Sequence, residues 1–388
     1  MEISACVKYV GVNDHQVDLF EGQYKVPNGM SYNSYVILDE KIAVMDTVDG
    51  FFTEEWLNNV EQVLDGKMPD YLIIQHMEPD HSASIPAFLK KYPKATVVST
   101  AKGFQFMEQF FPEFFAGQGL PAEQRIVAAN DGVLELGQHS LHFVYAPMVH
   151  WPEVMMTYEA TEKILFAADG FGKFGALDAE EEWADEARRY YIGIVGKYGP
   201  QVQAVLKKAA GLDIQTICSL HGPVLKENLG FYLEKYDRWS SYQPEESGVV
   251  IAYASVYGNT RNAAEHLADV LQEKGQKTVL YDLARCDKAK AIADTFRYDR
   301  LVLAGITYNG DLFPCMRSYI EGLTERNYQN RKVAIIENGT WAPMAGKLIL
   351  GMFEKSKNLT FTETTVSIKS AMNAQNKEEI GKLAEELC

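Results

Sequence analysis

Several common features are missing from this sequence, and each absence removes a class of protein. Its five cysteines, Cys6, Cys218, Cys286, Cys315 and Cys388, stand singly and in odd number, which argues against a disulfide framework and fits reduced thiols in the cytosol. No C-x-x-C pair occurs, so these residues hold no zinc ribbon, rubredoxin module or dithiol redox motif. No stretch reaches the roughly 18 uninterrupted apolar residues of a membrane span. The opening MEISACVKYVGVNDHQ also lacks the basic start and apolar run of a secretory leader, so the expected location is the cytoplasm. Lys and Arg number 37 against 53 Asp and Glu, and the net charge of -16 is not relieved by any basic block. Nucleic acid and anionic membrane surfaces are therefore poor partners. Internal repeats and low-complexity segments are absent as well.

What is present is enough apolar material for more than one core: 388 residues, 47% of them hydrophobic, predict two domains. In the first, SYNSYVILDEKIAVMDTV reads as two strands joined at Asp39-Glu40, and YLIIQ, ATVVS, DGVLELGQHSLHFVYAP and KILFAADG continue the β pattern. Strands dominate early in this reading, while the spacing predicts helix from EEEWADEARRYY to about Gly211. This half is a mixed αβ layer structure. The polar SYQPEES then marks a boundary near Ser247, giving domains 1–246 and 247–388. Beyond it GVVIAYAS, KTVLYDL, RLVLAGI, KVAIIEN and LTFTETTVS alternate with helices. That order predicts a doubly wound, parallel five-stranded sheet with right-handed crossovers.

Three loops at the carboxyl ends of these strands carry cofactor chemistry. The first places Ser255, Val256, Tyr257, Gly258, Asn259 and Thr260 at a helix N-terminus, where backbone N–H groups and the helix dipole hold a phosphate without Lys or Arg. The second offers Thr307, Tyr308, Asn309 and Gly310, and the third Asn338, Gly339, Thr340 and Trp341. Tyr308 and Trp341 supply flat partners for a ring. Each loop alone is ordinary turn chemistry; three in register at strand ends point to a planar, phosphate-bearing cofactor. G-x-G-x-x-G is absent from the phosphate loop, which favours FMN over NAD or FAD.

The first domain is dense in metal-ligand side chains. H-M-E-P-D-H places His76, Glu78, Asp80 and His81 within six residues after a strand, and His150, Asp169 and His221 each stand at another strand end. A lone histidine in such a place is usually structural, but four clustered ligands with three remote partners favour metal. Seven ligands serve two metals if one carboxylate bridges, and Asp169, arriving from its own strand, is the natural bridge. Trp151 and Phe171 are candidates for shielding the site from water, or for plain core packing. His15, His139, His142 and His266 sit in no comparable cluster and read as structural.

Both halves resemble known families. S-V-Y-G-N-T is similar to the flavodoxin phosphate loop, although Ile306-Thr307-Tyr308 replaces a frequent Pro-Thr-Tyr. The first half resembles the metallo-β-lactamase fold, an αββα sandwich whose hydrolases bind zinc through H-x-H-x-D-H; here Glu78 replaces the second histidine. The harder, oxygen-rich set suits iron better than zinc. With PMVHWPE and LFAADGFGKFGAL, the combination resembles the flavodiiron protein family over essentially the whole chain. The resemblance implies two irons, one held by His76, Glu78 and His150 and the other by Asp80, His81 and His221, bridged by Asp169. It also implies FMN, reduction of O2 to water and/or NO to N2O, and a head-to-tail homodimer or dimer of dimers. Electrons would come from a separate donor, rubredoxin or a reductase, or from a reduced deazaflavin. Two competing readings are a zinc or iron hydrolase, which leaves the FMN loops unexplained, and an FMN electron carrier with a purely structural metal.

Overall fold

The computed structural model describes residues 3–116 and 119–388. The chain divides into two compact units, one running to Tyr191 and including Pro200–Tyr236, the other made of Ile192–Gly199 and Asp237–Cys388.

The first unit packs two sheets face to face. One is ordered Val7–Tyr9, Tyr35–Ile37, Ala43–Met45, Tyr71–Ile73, Thr96–Ser99, Arg125–Val127. Its first three strands are antiparallel and the rest run parallel from Ala43–Met45 onward. Parallel neighbours require crossovers, and the helices Thr53–Leu64, Ile85–Lys91 and Ala101–Phe110 supply them. The expectation that strands dominate early is thereby corrected. In TEEWLNNVEQVL the buried Trp56, Val60 and Leu64 recur at every fourth residue, a helical stripe overlooked beside the β-rich runs around it.

A second correction concerns SYNSYVIL, expected as one strand. It breaks at Asn33-Ser34 into Met30–Tyr32 and Tyr35–Ile37. The Asn33 amide donates to the carbonyls of Ser219 and Gly222 at 2.9 and 2.8 Å, and the Ser34 hydroxyl to that of Asp46 at 3.0 Å. Buried side-chain bonds take the place of ladder bonds there. This tie holds the end of one sheet against the loop that follows the last strand of the other.

The second sheet is ordered Val133–Glu135, Ser140–Tyr145, Met155–Glu159, Ile164–Phe166, Thr216–Cys218. Only its last pair is parallel. Ile37, Met45, Ile73 and Val98 of the first sheet share one buried cluster with Leu141, Phe143 and Phe166 of the second, and Tyr35 meets Phe166 edge-on at 5.4 Å. This is the metallo-β-lactamase-like sandwich that the first half resembles.

The second unit is a five-stranded parallel sheet ordered Thr278–Asp282, Glu246–Tyr253, Tyr298–Tyr308, Arg331–Asn338, Leu359–Ile368. The chain enters at the second position and reverses direction across the sheet, so the ends of Glu246–Tyr253 and Tyr298–Tyr308 flank the switch point. The doubly wound, flavodoxin-like sheet is as expected; a short strand Asp311–Leu312 paired antiparallel to the end of Tyr298–Tyr308 is an addition. Val249, Ile251, Leu267, Val302 and Ile380 lie at its core. Among the described residues no helix is long and apolar enough to cross a membrane.

Phe166 is fully buried where the two sheets of the first unit meet. Phe166→Ala is expected to cost about 3–5 kcal/mol, seen as a lower urea midpoint at unchanged slope.

Candidate metal centre and flavin site

Seven side chains converge at one end of the sandwich, each delivered by the residues following a strand. His76 and Glu78 lie beyond Tyr71–Ile73, and the one-turn helix Pro79–Ser82 carries Asp80 and His81. His150, Asp169 and His221 follow Ser140–Tyr145, Ile164–Phe166 and Thr216–Cys218. The first sheet therefore contributes the local cluster and the second the three remote residues.

The seven form two nests. In one, His76 Nε2 lies 3.3 Å from His150 Nε2 and 3.2 Å from Glu78 Oε2, which is 3.0 Å from His150 Nε2. In the other, His81 Nε2 lies 3.1 Å from His221 Nε2, and Asp80 Oδ2 is 3.3 Å from both. Asp169 joins them. Its Oδ2 faces His150 and His76 at 3.2 and 3.6 Å, and its Oδ1 faces His81 and His221 at 3.3 and 3.9 Å.

These spacings have the form of a coordination shell. Donor atoms bound about 2.1 Å from one ion lie about 3.0–3.4 Å from each other. The chemistry agrees: His221 Nδ1 donates to the Ser31 carbonyl at 2.7 Å, so in the neutral ring Nε2 presents a lone pair to the nest. Both oxygens of Asp80 and of Asp169 are buried with no hydrogen-bond partner. Lone pairs converging on a dry point are stable only around cations. Without metal, protons take that role. Burial opposes charge on every group, yet Asp169 and Glu78 push His150 up to about 9, and the carboxylates around His76 raise it well above its ordinary value. The imidazoles in turn hold Asp169 well below the carboxylate range.

Backbone strain accompanies these candidate ligands. Met148, Ala168 and Phe171 adopt φ of 65°, 48° and 66°, a left-handed region that non-glycine residues enter at a cost of order 1–3 kcal/mol and that clusters at functional sites. Gly222, at φ 80°, follows His221, and its N–H donates to Ser31 Oγ at 2.8 Å.

The surroundings are aromatic. Trp151 meets His76 edge-on at 5.2 Å, while Phe20 and Tyr190 lie 5.5 and 5.4 Å from the His221 ring. Phe171 instead stacks on Tyr236 at 4.2 Å, and its N–H donates to the Tyr236 hydroxyl. Sequence reasoning missed Glu153, whose Oε1 accepts from His76 Nδ1 at 2.7 Å and from the Met77 N–H at 3.0 Å. It closes the PMVHWPE segment already quoted, and an acid three residues beyond a ligand histidine was the available signal. Phe20 and Tyr190 left no such sign.

The other unit holds a cavity of about 620 Å³, lined by every residue singled out in the three loops except Gly258. Ile306, Ala342, Met344 and Ser370 line it too. Gly258, at φ 90°, precedes the helix Asn259–Glu273, which has no side-chain N-cap and no acid in its first turn. Its leading N–H groups are therefore open to an anion. Tyr308 and Trp341 are 48% and 83% exposed beside the cavity, as partners for a planar ring must be. Thr307 Oγ1 is already engaged, accepting from the N–H groups of Met344 and Ala345 at 2.8 and 3.1 Å. Ser370 enters from the end of the fifth strand, locked to Asn338 by reciprocal bonds of 2.9 and 3.0 Å. The strand-end rule covered this loop as well, but its K-S-A-M-N sequence advertises no ligand chemistry.

A metallo-β-lactamase-like sandwich with a His/carboxylate double nest and a flavodoxin-like sheet with a mononucleotide cradle define a two-module flavin and metal oxidoreductase. Residues 30–222 match the ODP family beta lactamase and residues 251–365 match flavodoxin. The anaerobic nitric oxide reductase flavorubredoxin of Vibrio vulnificus is 28% identical over 86% of this chain and 69% of its own length. Rubredoxin oxygen:oxidoreductase from Desulfovibrio gigas superposes with a TM-score of 0.91 at 25% identity, covering 100% of this chain and 97% of the other. The flavodiiron protein of Giardia intestinalis gives 0.91 at 26% identity, with 100% and 96% covered. The chain belongs to the flavodiiron protein family.

Glu153 fixes the ring of His76 without entering the nest. Glu153→Gln is expected to lower metal affinity about 10- to 100-fold, measured by competition with a chelator, while flavin content stays unchanged.

Proposed function

We propose that this chain reduces O2 to water and/or NO to N2O, with residues 1–246 holding two irons and residues 247–388 holding FMN. One observation carries this reading: Asp169 divides its two oxygens between nests that each contain two imidazoles and a carboxylate. With the groups bound, the iron pair supplies open coordination positions and electrons for a diatomic substrate, and FMN replenishes those electrons.

In this reading His76, Glu78 and His150 would hold one iron, Asp80, His81 and His221 the other, with Asp169 shared between them. Glu153 and the Ser31 carbonyl orient His76 and His221 from behind. Trp151, Phe20 and Tyr190 pack against the His76 and His221 rings and would shield the nests from bulk water on either side. The start of Asn259–Glu273 would hold the phosphate of FMN, and Tyr308 and Trp341 would contact its ring.

Electrons come from outside these residues, which contain no C-x-x-C pair. The donor is rubredoxin or a reductase, or else a reduced deazaflavin, and the flavin of one subunit serves the irons of another in a head-to-tail dimer or dimer of dimers. Five free cysteines fit a cytoplasmic setting.

Asp169→Ala is expected to lose iron and keep FMN; loss of both would count against independent modules. Anaerobic stopped-flow mixing of the reduced protein with each gas tests the activity, with rapid re-oxidation and water or N2O as product. A protein that holds zinc and lacks flavin absorbance, or one loaded with iron and flavin that stays reduced under both gases, overturns this reading.

A further inference from the structure

The end of the sandwich opposite the di-iron nest carries a second cluster of metal-ligand side chains. His139 immediately precedes the strand Ser140–Tyr145 whose far end leads to His150, and Glu162 precedes Ile164–Phe166, whose far end leads to Asp169. These two strands both pair antiparallel with Met155–Glu159, so they run parallel to each other. Their amino ends share one edge and their carboxyl ends the other, about 20 Å away along a six-residue strand. Cys6 joins the cluster from the segment leading into Val7–Tyr9, the edge strand of the other sheet. The Sγ of Cys6, a ring nitrogen of His139 and a carboxylate oxygen of Glu162 all lie within 4.8 Å of one another.

The cluster is prepared as a ligand set. His139 is 3% exposed, and Asp39 Oδ2 accepts from both its backbone N–H and its Nδ1 at 2.7 and 2.8 Å. That arrangement fixes the ring and turns Nε2 toward Glu162, whose Oε1 is 3.6 Å away, too far for a hydrogen bond. Glu162 Oε2 is buried and has no hydrogen-bond partner. The turn carrying Glu162 is fastened by Glu159, which accepts from the Thr161 and Glu162 N–H groups at 2.8 and 2.7 Å. The Cys6 backbone is held on both sides, its N–H by Ser4 Oγ at 3.2 Å and its carbonyl by the Leu38 N–H at 2.9 Å. A carboxylate behind an inward-facing imidazole is the same construction that Glu153 and His76 form at the nest.

We infer that Cys6, His139 and Glu162 bind a zinc ion, with water in the fourth position and Asp39 orienting His139. One thiolate, one imidazole and one carboxylate make a borderline-soft set, matched to zinc and mismatched to the all-oxygen shells of magnesium or calcium. The thiolate and carboxylate neutralise the ion on binding, and the Cys6 proton is released to solvent. The ion ties the N-terminal segment of one sheet to two turns of the other.

The test uses the full-length protein with iron and FMN in place, incubated anaerobically with zinc chloride and desalted. The expected result is a zinc ion per chain that is absent from Cys6→Ser and from Glu162→Gln, with iron and flavin equal in all three. Zinc is also expected to slow iodoacetamide labelling of Cys6 at least about tenfold, read by peptide mass spectrometry, while labelling of Cys388 is unaffected. Equal zinc in wild type and both variants, or Cys6 labelling indifferent to zinc, overturns the proposal. Should one variant fail to fold, the other and the wild-type labelling experiment still decide. Cys6 labelling does not depend on what the nest at the other end contains.

Discussion

A single carboxylate sets the terms for the first module. Asp169 is 1% exposed, carries no hydrogen-bond donor on either oxygen, and looks toward a pair of imidazoles with each of them. An isolated carboxylate cannot remain ionised in such a place, so positive charge must stand on both sides of it. The architecture meets that demand by bringing strand ends from both sheets to one edge. The left-handed residues Ala168 and Phe171 on either side of Asp169 are the local backbone cost of aiming it there.

The second module handles an anion by the opposite means. No lysine or arginine occurs among the residues lining its cavity, and the open N–H groups of the helix Asn259–Glu273 take their place. In a chain of net charge -16, partial charges on the backbone attract a phosphate locally without a basic patch that would draw in other polyanions. One module thus rests on full charges in a dry interior, the other on oriented dipoles at a wet edge.

The sequence revealed most where chemistry was dense within a short span. His76 to His81 announced the nest, and the Gly258-Asn259-Thr260 turn announced the cradle, because each packs several specialised residues into one loop. Partners distant along the chain stayed hidden: Glu153 and the Ser31 carbonyl support ligands from far away in sequence, and a hydrogen bond to a backbone carbonyl leaves no trace in residue type. His139 read as structural for the same reason, since Asp39, Cys6 and Glu162 come from three other segments. The helix Thr53–Leu64 was lost to a different cause, the surrounding β-branched and aromatic runs that bias a reader toward strand. In the second module, strict alternation of strand and helix made the topology legible, while Ser370 escaped notice because its loop carries no distinctive chemistry.

The Asn33 tie between the two sheets has a consequence for the order of events during maturation. Each nest mixes side chains from both sheets, so neither exists until the sheets have packed, and the one with His221 also needs the loop after Thr216–Cys218 docked against Asn33 and Ser31. Closing so long a stretch of chain is entropically slow and must be driven by apolar packing. In an apoprotein whose sheets have packed, the raised histidines supply the positive charge that Asp169 demands. Metal loading is then an exchange of protons for the ion.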